Sequence, residues 1–70
     1  MRVRVDRQAD AIYLNLTDQE IAESEEVADG IVIDYDSAGR VVGVEILDAS
    51  TRTGDPSVLK QFSFDLPTAT

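Results

Sequence analysis

A group of carboxylates in the middle of the chain has the spacing of a calcium-binding loop. Positions one, three, six and twelve of the EF-hand pattern are filled by Asp34, Asp36, Gly39 and Glu45. Position five needs another side-chain oxygen, but the residue there is Ala38. The flanking residues alternate as strands do, whereas an EF-hand loop lies between helices. The sequence therefore predicts a turn between two strands and no metal site.

Acid-base chemistry is the second use that carboxylates in this region suggest. Asp34, Glu45 and Asp48 stand among apolar residues, where burial favours the protonated acid that general acid catalysis needs. A site of this kind requires two carboxylates that converge on one cleft. The hairpin register predicted below places Asp34 and Glu45 on opposite faces of a sheet, so the two cannot converge within one chain.

Structural roles are therefore the prediction for these three carboxylates, with a functional role left open. The expected partners are Tyr13 or backbone groups for Asp34, an arginine (Arg2, Arg4 or Arg52) for Glu45, and the amides of Ser50 or Thr51 for Asp48. The chain has no histidine that would activate a serine as a nucleophile. We predict no catalytic, cofactor-binding or metal-binding residue and no cofactor.

The charge of the chain limits its partners. The 70 residues include 14 acidic and 6 basic ones, for a formal net charge of -8. This field repels phosphate backbones and anionic lipid, so we expect no nucleic-acid or membrane partner, and a basic protein or a cation suits it better. The first ten residues hold no apolar run of the length that a signal peptide needs, and no stretch reaches the ~20 apolar residues of a membrane span, so we expect a cytoplasmic protein.

The length of the chain predicts one domain, residues 1–70, with a thin core. A chain this short buries only about 60% of the surface that its unfolded form exposes. With no cysteine and no histidine, disulfides are excluded and the usual zinc ligands are missing. Self-association is the remaining source of stability, so we expect a homodimer or a larger assembly.

The first half of the chain predicts a hairpin followed by an edge segment. Residues 2–6 and 11–17 alternate, and a register that pairs Val5 with Ile12 and Val3 with Leu14 puts the apolar side chains on one face. Residues 18–29 are rich in carboxylates and lack the cations that would stabilise a helix. We predict an extended edge segment there, ending at Val27.

Residues 30–47 predict a second, central hairpin. Residues 36–39 fit a tight turn, in which glycine carries no steric cost at the last position. This turn would pair Tyr35 with Val41. The pairing would then continue without interruption, from Asp34 with Val42 to Ile31 with Glu45. Both faces of this hairpin would then be apolar, so we expect the sheet's partner element to cover one face and a helix or a second subunit to cover the other. Gly43 would lie opposite Ile33 and admit the ring of Tyr13, Tyr35 or Phe62.

The C-terminal part predicts a short helix. Asp55 as N-cap and Pro56 at the first position favour an amphipathic helix over residues 56–62, while the alternation of Phe62, Phe64 and Leu66 favours a strand instead. The end of the chain, residues 68–70, is expected to be frayed. Together these elements predict an α+β, mainly β fold: an antiparallel sheet of about four strands, in two hairpins, with one short C-terminal helix.

The chain also resembles a known family. The matching stretches are residues 10–14 (DAIYL), 30–36 (GIVIDYD) with Gly39, and 42–50 (VGVEILDAS), of which the last is the most specific. They are similar to DUF2283, a family of small bacterial domains of unknown function, and the chain departs from the pattern in the acidic stretch before Val27 and after Ser50. The resemblance implies a small sheet-rich fold, no known activity, and neighbours that include toxin-like proteins.

The function that these observations favour is a non-enzymatic interaction module. Its acidic surface would dock a basic protein, as an antitoxin does. The alternative is a small carboxylate-dependent enzyme or a divalent-cation-binding protein, which would need Asp34, Glu45 or Asp48 in one concave cleft.

Overall fold

Five antiparallel strands form the sheet that organises this protein. The computed structural model describes residues 1–68. Its elements are β1 Arg2–Asp6, β2 Ala11–Asn15, β3 Glu23–Ala28, β4 Ile31–Tyr35, β5 Val41–Ile46, the helix α1 Ala49–Thr53 and a 3-10 turn at Val58–Lys60. The strand order is β1-β2-β5-β4-β3, so the two hairpins meet between β2 and β5. The mainly β fold is confirmed, and the sheet has one strand more than the predicted four.

The extra strand is the acidic segment, which pairs with β4 from Glu23 to Ala28, with a shift of register between Glu26 and Ala28. All six residues of β3 are exposed, and the strand lies at the outer edge of the sheet. The prediction of an extended edge segment is confirmed, although the strand ends at Ala28 rather than Val27. The first hairpin is also confirmed, with Val3 opposite Leu14 and Val5 opposite Ile12.

The central hairpin contains a β-bulge that changes its register. Tyr35 pairs with Val41 as predicted, but Asp34 pairs with Gly43, so Val42 is an extra residue in β5. Every pair beyond the bulge is shifted by one residue from the predicted register. The predicted pairs of Asp34 with Val42 and of Ile31 with Glu45 are therefore wrong.

This shift separates the two faces of the sheet by polarity. Because side chains alternate along each strand, paired residues share a face. The apolar face carries Val3, Val5, Ile12, Leu14, Ile31, Ile33, Tyr35, Val44 and Ile46, with Glu23 and Glu25 at its β3 edge. The polar face carries Arg2, Arg4, Asp6, Ala11, Tyr13, Asn15, Ser24, Glu26, Val32, Asp34, Gly43 and Glu45. The prediction of two apolar faces is therefore wrong.

The C-terminal helix lies earlier in the chain than predicted. It comprises Ala49–Thr53, and Gly54 ends it in the left-handed conformation with φ 69°. The Asp55 carboxylate accepts hydrogen bonds from the amide and the hydroxyl of Ser57, a local turn that leads to the 3-10 turn instead of a longer helix. No strand forms after Lys60 within the described residues, and the expected fraying of residues 69–70 lies outside them.

The core is small. In residues 1–68, the buried apolar side chains are those of Ala11, Val42, Ala49 and Leu59, of which Val42 is the most deeply buried. The molecule measures 38 × 36 × 18 Å, so it is flat. No helix in the described part of the chain has the length and apolar character that a membrane span requires.

Candidate functional site

A buried carboxylate lies at the centre of the polar face. Asp34 is 7% exposed. Its Oδ2 accepts a hydrogen bond of 2.8 Å from the Tyr13 hydroxyl, and its Oδ1 accepts one from the Ser24 hydroxyl. Of the predicted partners of Asp34, Tyr13 or backbone groups, Tyr13 is confirmed. Strands β2, β4 and β3 each supply one side chain of this cluster, which crosses the sheet from β2 to its acidic edge.

Gly43 is the residue that lets Tyr13 reach Asp34. It lies between them, opposite Asp34 on one side and Asn15 of β2 on the other. A Cβ atom at this position would lie 2.5 Å from the Tyr13 hydroxyl oxygen and 2.9 Å from Cζ of the same ring. The predicted close approach of an aromatic ring to Gly43 is therefore confirmed for Tyr13. The prediction that Gly43 pairs with Ile33 is wrong.

The environment of Tyr13 makes its hydroxyl a donor and not a base. The hydrogen bond to Asp34 raises the pKa of Tyr13 above its ordinary value of 10.0, and burial and the Asp34 charge raise it further. The Arg4 guanidinium carbon lies 4.8 Å from the centre of the Tyr13 ring, a cation–π contact. A phenol held in this state does not supply the phenolate that nucleophilic or base catalysis near neutral pH needs.

Alkaline titration tests this assignment. In a Tyr35→Phe background, where Tyr13 is the remaining tyrosine, we expect Tyr13 to ionise above pH 10, and to ionise at lower pH after Asp34→Asn. Because the folded pKa is the higher one, the stabilisation is complete below the unfolded pKa and is lost as the pH rises through the folded value. Tyrosinate absorbance measures the titration. An unchanged midpoint in the Asp34→Asn variant would contradict the assignment.

A groove opens beside this cluster, next to the first hairpin loop. Its volume is about 640 Å³. The lining side chains that carry charge or bulk are Arg4, Asp6, Arg7, Gln8, Tyr13, Glu45 and Leu47. Within residues 1–68, Glu45 forms no ion pair, because Arg4 lies over the Tyr13 ring and Arg52 donates to the Leu47 carbonyl at 2.8 Å. The predicted pairing of Glu45 with an arginine is therefore wrong.

Asp36 is bound within its own turn. Its Oδ1 accepts hydrogen bonds from the amides of Ala38 and Arg40, both at 2.9 Å, and its Oδ2 accepts one of 3.0 Å from Arg40 Nε. The amide of Arg40 is the main reason that the pKa of Asp36 lies below its ordinary value. The turn itself is as predicted, with Gly39 at φ 79°.

The two aspartates of the calcium-loop pattern make hydrogen bonds within the sheet and the turn. The β-bulge brings Asp34 and Glu45 to the same face, so the prediction that they lie on opposite faces is wrong. The oxygens of Asp34 and Asp36 nevertheless accept hydrogen bonds from Tyr13, Ser24 and turn groups. Among the described residues, no group of three or more acidic, histidine or cysteine side chains is placed to hold a metal ion.

A second polar contact, between the first loop and α1, was missed by sequence reasoning. The Asp10 carboxylate accepts hydrogen bonds from the Ser50 amide at 3.1 Å and from the Ser50 hydroxyl at 2.7 Å. The predicted partner of this amide, Asp48, adopts a left-handed conformation and makes no side-chain cap. No local sequence pattern predicts this contact, because the two residues are 40 positions apart in the chain.

One family model matches the part of the chain that contains these residues. The family model DUF2283, described as a protein of unknown function, matches residues 2–50. Asp10, Tyr13, Asp34, Gly43 and Ser50 all lie in the matched stretch, which contains every strand of the sheet. No curated protein and no solved structure matches the chain significantly.

Proposed function

The chain belongs to the DUF2283 family of unknown function, and from this premise we propose that it is a non-enzymatic interaction module whose edge strand β3 docks a basic protein. The observation that carries the proposal is the exposure of β3 at the end of the sheet order. Its residues include Glu23, Glu25 and Glu26, with no basic residue among residues 18–29.

The backbone of β3 gives this edge a way to bind an extended segment. In the sheet, β3 pairs with β4 on one side, which leaves the groups on its other side available for an added strand. Glu23 and Glu25 lie on the apolar face and Glu26 on the polar face. A basic strand added here would meet carboxylates on both of its faces, whereas an acidic strand would be repelled.

The alternative, a carboxylate-dependent enzyme or a cation-binding protein, is less well supported. The shared face of Asp34 and Glu45 favours it. However, both Asp34 oxygens already accept hydrogen bonds, from Tyr13 and Ser24, and the raised pKa of Tyr13 keeps its hydroxyl protonated near neutral pH. We therefore propose docking, with an antitoxin-like role against a small basic partner in the cytoplasm as its specific form.

The test uses a defined basic probe, a short peptide of alternating lysine and valine, titrated into the isotope-labelled chain. We expect saturable amide shifts concentrated in β3 and its partner β4, and an affinity that falls as salt is added, because the contact is electrostatic. Shifts spread evenly over the acidic surface, or none at β3, would contradict the proposal.

A pair of variants with equal charge change separates the strand from the general field. We expect Glu23→Gln, Glu25→Gln and Glu26→Gln together to weaken peptide binding at least about tenfold. The control combines Asp18→Asn, Glu20→Gln and Asp65→Asn, which remove the same charge outside β3. Equal weakening by both variants would mean that net charge, and not the strand, attracts the peptide.

A further inference from the structure

The apolar face of the sheet is uncovered in the single chain. None of its apolar side chains is buried, and Val5 is 38% exposed. The accessible surface of the molecule is 5418 Å². A folded monomer of 7.6 kDa has about 4300 Å², so this chain exposes an excess of about 1100 Å². Part of the excess belongs to the segment after Lys60, where Phe64 and Leu66 are 71% and 91% exposed.

We infer that a second copy of the chain covers this face, in a homodimer whose two sheets pack face to face. A stable interface hides about 800 Å² on each partner, which the excess surface of this chain can supply. The flat face carries Val, Ile and Leu side chains across four adjacent strands, and two such sheets pack at about 10 Å as in a β-sandwich. The single chain buries only four apolar side chains among its described residues, and the interface would add the second layer of a larger core.

The distribution of charge selects the direction of the two-fold axis. On the apolar face, the charged residues are Glu23 and Glu25, both on the β3 edge. An axis perpendicular to the strands would place β3 over β3 of the other copy and set these carboxylates against each other. An axis parallel to the strands instead places β3 over β1 of the other copy, whose side chains on this face are the apolar Val3 and Val5. This arrangement keeps the β3 carboxylates of the two copies apart, so the parallel axis is the one we infer.

The oligomeric state of the full chain tests the interface. We expect a mass of about 15 kDa in sedimentation or light scattering, twice the 7.6 kDa of one chain. Ile33→Lys, on the apolar face, should weaken the dimer at least about tenfold. Val32→Lys is the matched control, because it puts the same group on the polar face of the same strand. A monomeric wild-type protein, or a folded Ile33→Lys variant that stays dimeric, would overturn the inference.

Cysteine cross-linking tests the axis and does not depend on a variant that disrupts the face. The chain has no cysteine of its own. With a short bismaleimide, a mixture of Val3→Cys and Glu25→Cys chains should give cross-linked dimers, while Glu25→Cys chains alone should give none. Cross-linking of Glu25→Cys to itself would overturn the parallel axis. Neither outcome bears on peptide docking at β3, whose free backbone edge lies at the side of the sheet and not on its face.

Discussion

Replacing Gly43 by alanine is expected to lower the free energy of unfolding by about 1–3 kcal/mol, the usual cost of adding a methyl group to a packed site. The new Cβ would lie 2.5 Å from the Tyr13 hydroxyl oxygen and 3.0 Å from the Leu14 carbonyl oxygen. The carbonyl belongs to a paired strand and cannot yield, so the Tyr13 ring must move. Its hydrogen bond to Asp34 is then lost, and a buried carboxylate loses one of its two donors. Denaturant unfolding measures the change.

Two further variants show whether the Tyr13 ring is the cause. Tyr13→Phe removes the atom that the new methyl group would meet first, so Gly43→Ala should cost less in that background than in the wild type. Gly39→Ala is the contrasting case, because no atom lies within 4 Å of its added Cβ and the cost comes from its φ of 79°. The Tyr13→Phe change should leave the Gly39→Ala cost unaltered. Additive effects of Gly43→Ala and Tyr13→Phe would contradict this account.

Replacing Asp10 by alanine is expected to lower the free energy of unfolding by about 2 kcal/mol. About half of this is the loss of the carboxylate that caps the Ser50 amide at the start of α1. The rest arises because Asp10 has φ 54°, a left-handed conformation that aspartate tolerates better than alanine. The Asp10 carbonyl also accepts a hydrogen bond from the Ala49 amide at 2.8 Å, so strain at this residue affects the helix directly.

Two substitutions divide the Asp10 effect into its parts. Asp10→Gly keeps the backbone conformation and loses the carboxylate, so it should cost less than Asp10→Ala. Ser50→Ala removes only the hydroxyl donor and should cost about 1 kcal/mol. Amide exchange in α1 should quicken in all three variants and should stay unchanged in β3, which lies at the far edge of the sheet. An Asp10→Gly variant as unstable as Asp10→Ala would mean that backbone strain plays no part.

Strands and local turns were predictable because their causes are local. Alternation of apolar residues located the first hairpin and its register, and a run of carboxylates without cations located the exposed edge strand. The turn at Asp36 followed from an aspartate and a glycine at the right spacing. The C-terminal helix was misplaced since Asp55 and Pro56 suit a helix start and also suit the turn that Ser57 forms with Asp55.

The candidate site depended on a feature with no local signature. One extra residue, Val42, moves every later pair by one position and brings Asp34 and Glu45 to the same face. The β-strand patterns on both sides of the bulge are equally good in either register, because both strands are rich in Val and Ile. What favours the observed register is packing between strands: Tyr13 of β2 must cross Gly43 to reach Asp34.

The sequence by itself determined the elements of this protein: two hairpins, an acidic edge strand, a tight turn at Asp36 and a chain too short for a large core. Each of these follows from neighbouring residues, whose side-chain period and charge are fixed along the backbone. The tertiary structure alone decided the bulge, the Asp10–Ser50 contact and the separation of an apolar from a polar face, and it selected Tyr13 among the predicted partners of Asp34. These depend on how distant strands align, because a shift of one residue exchanges the faces of a strand at little local cost.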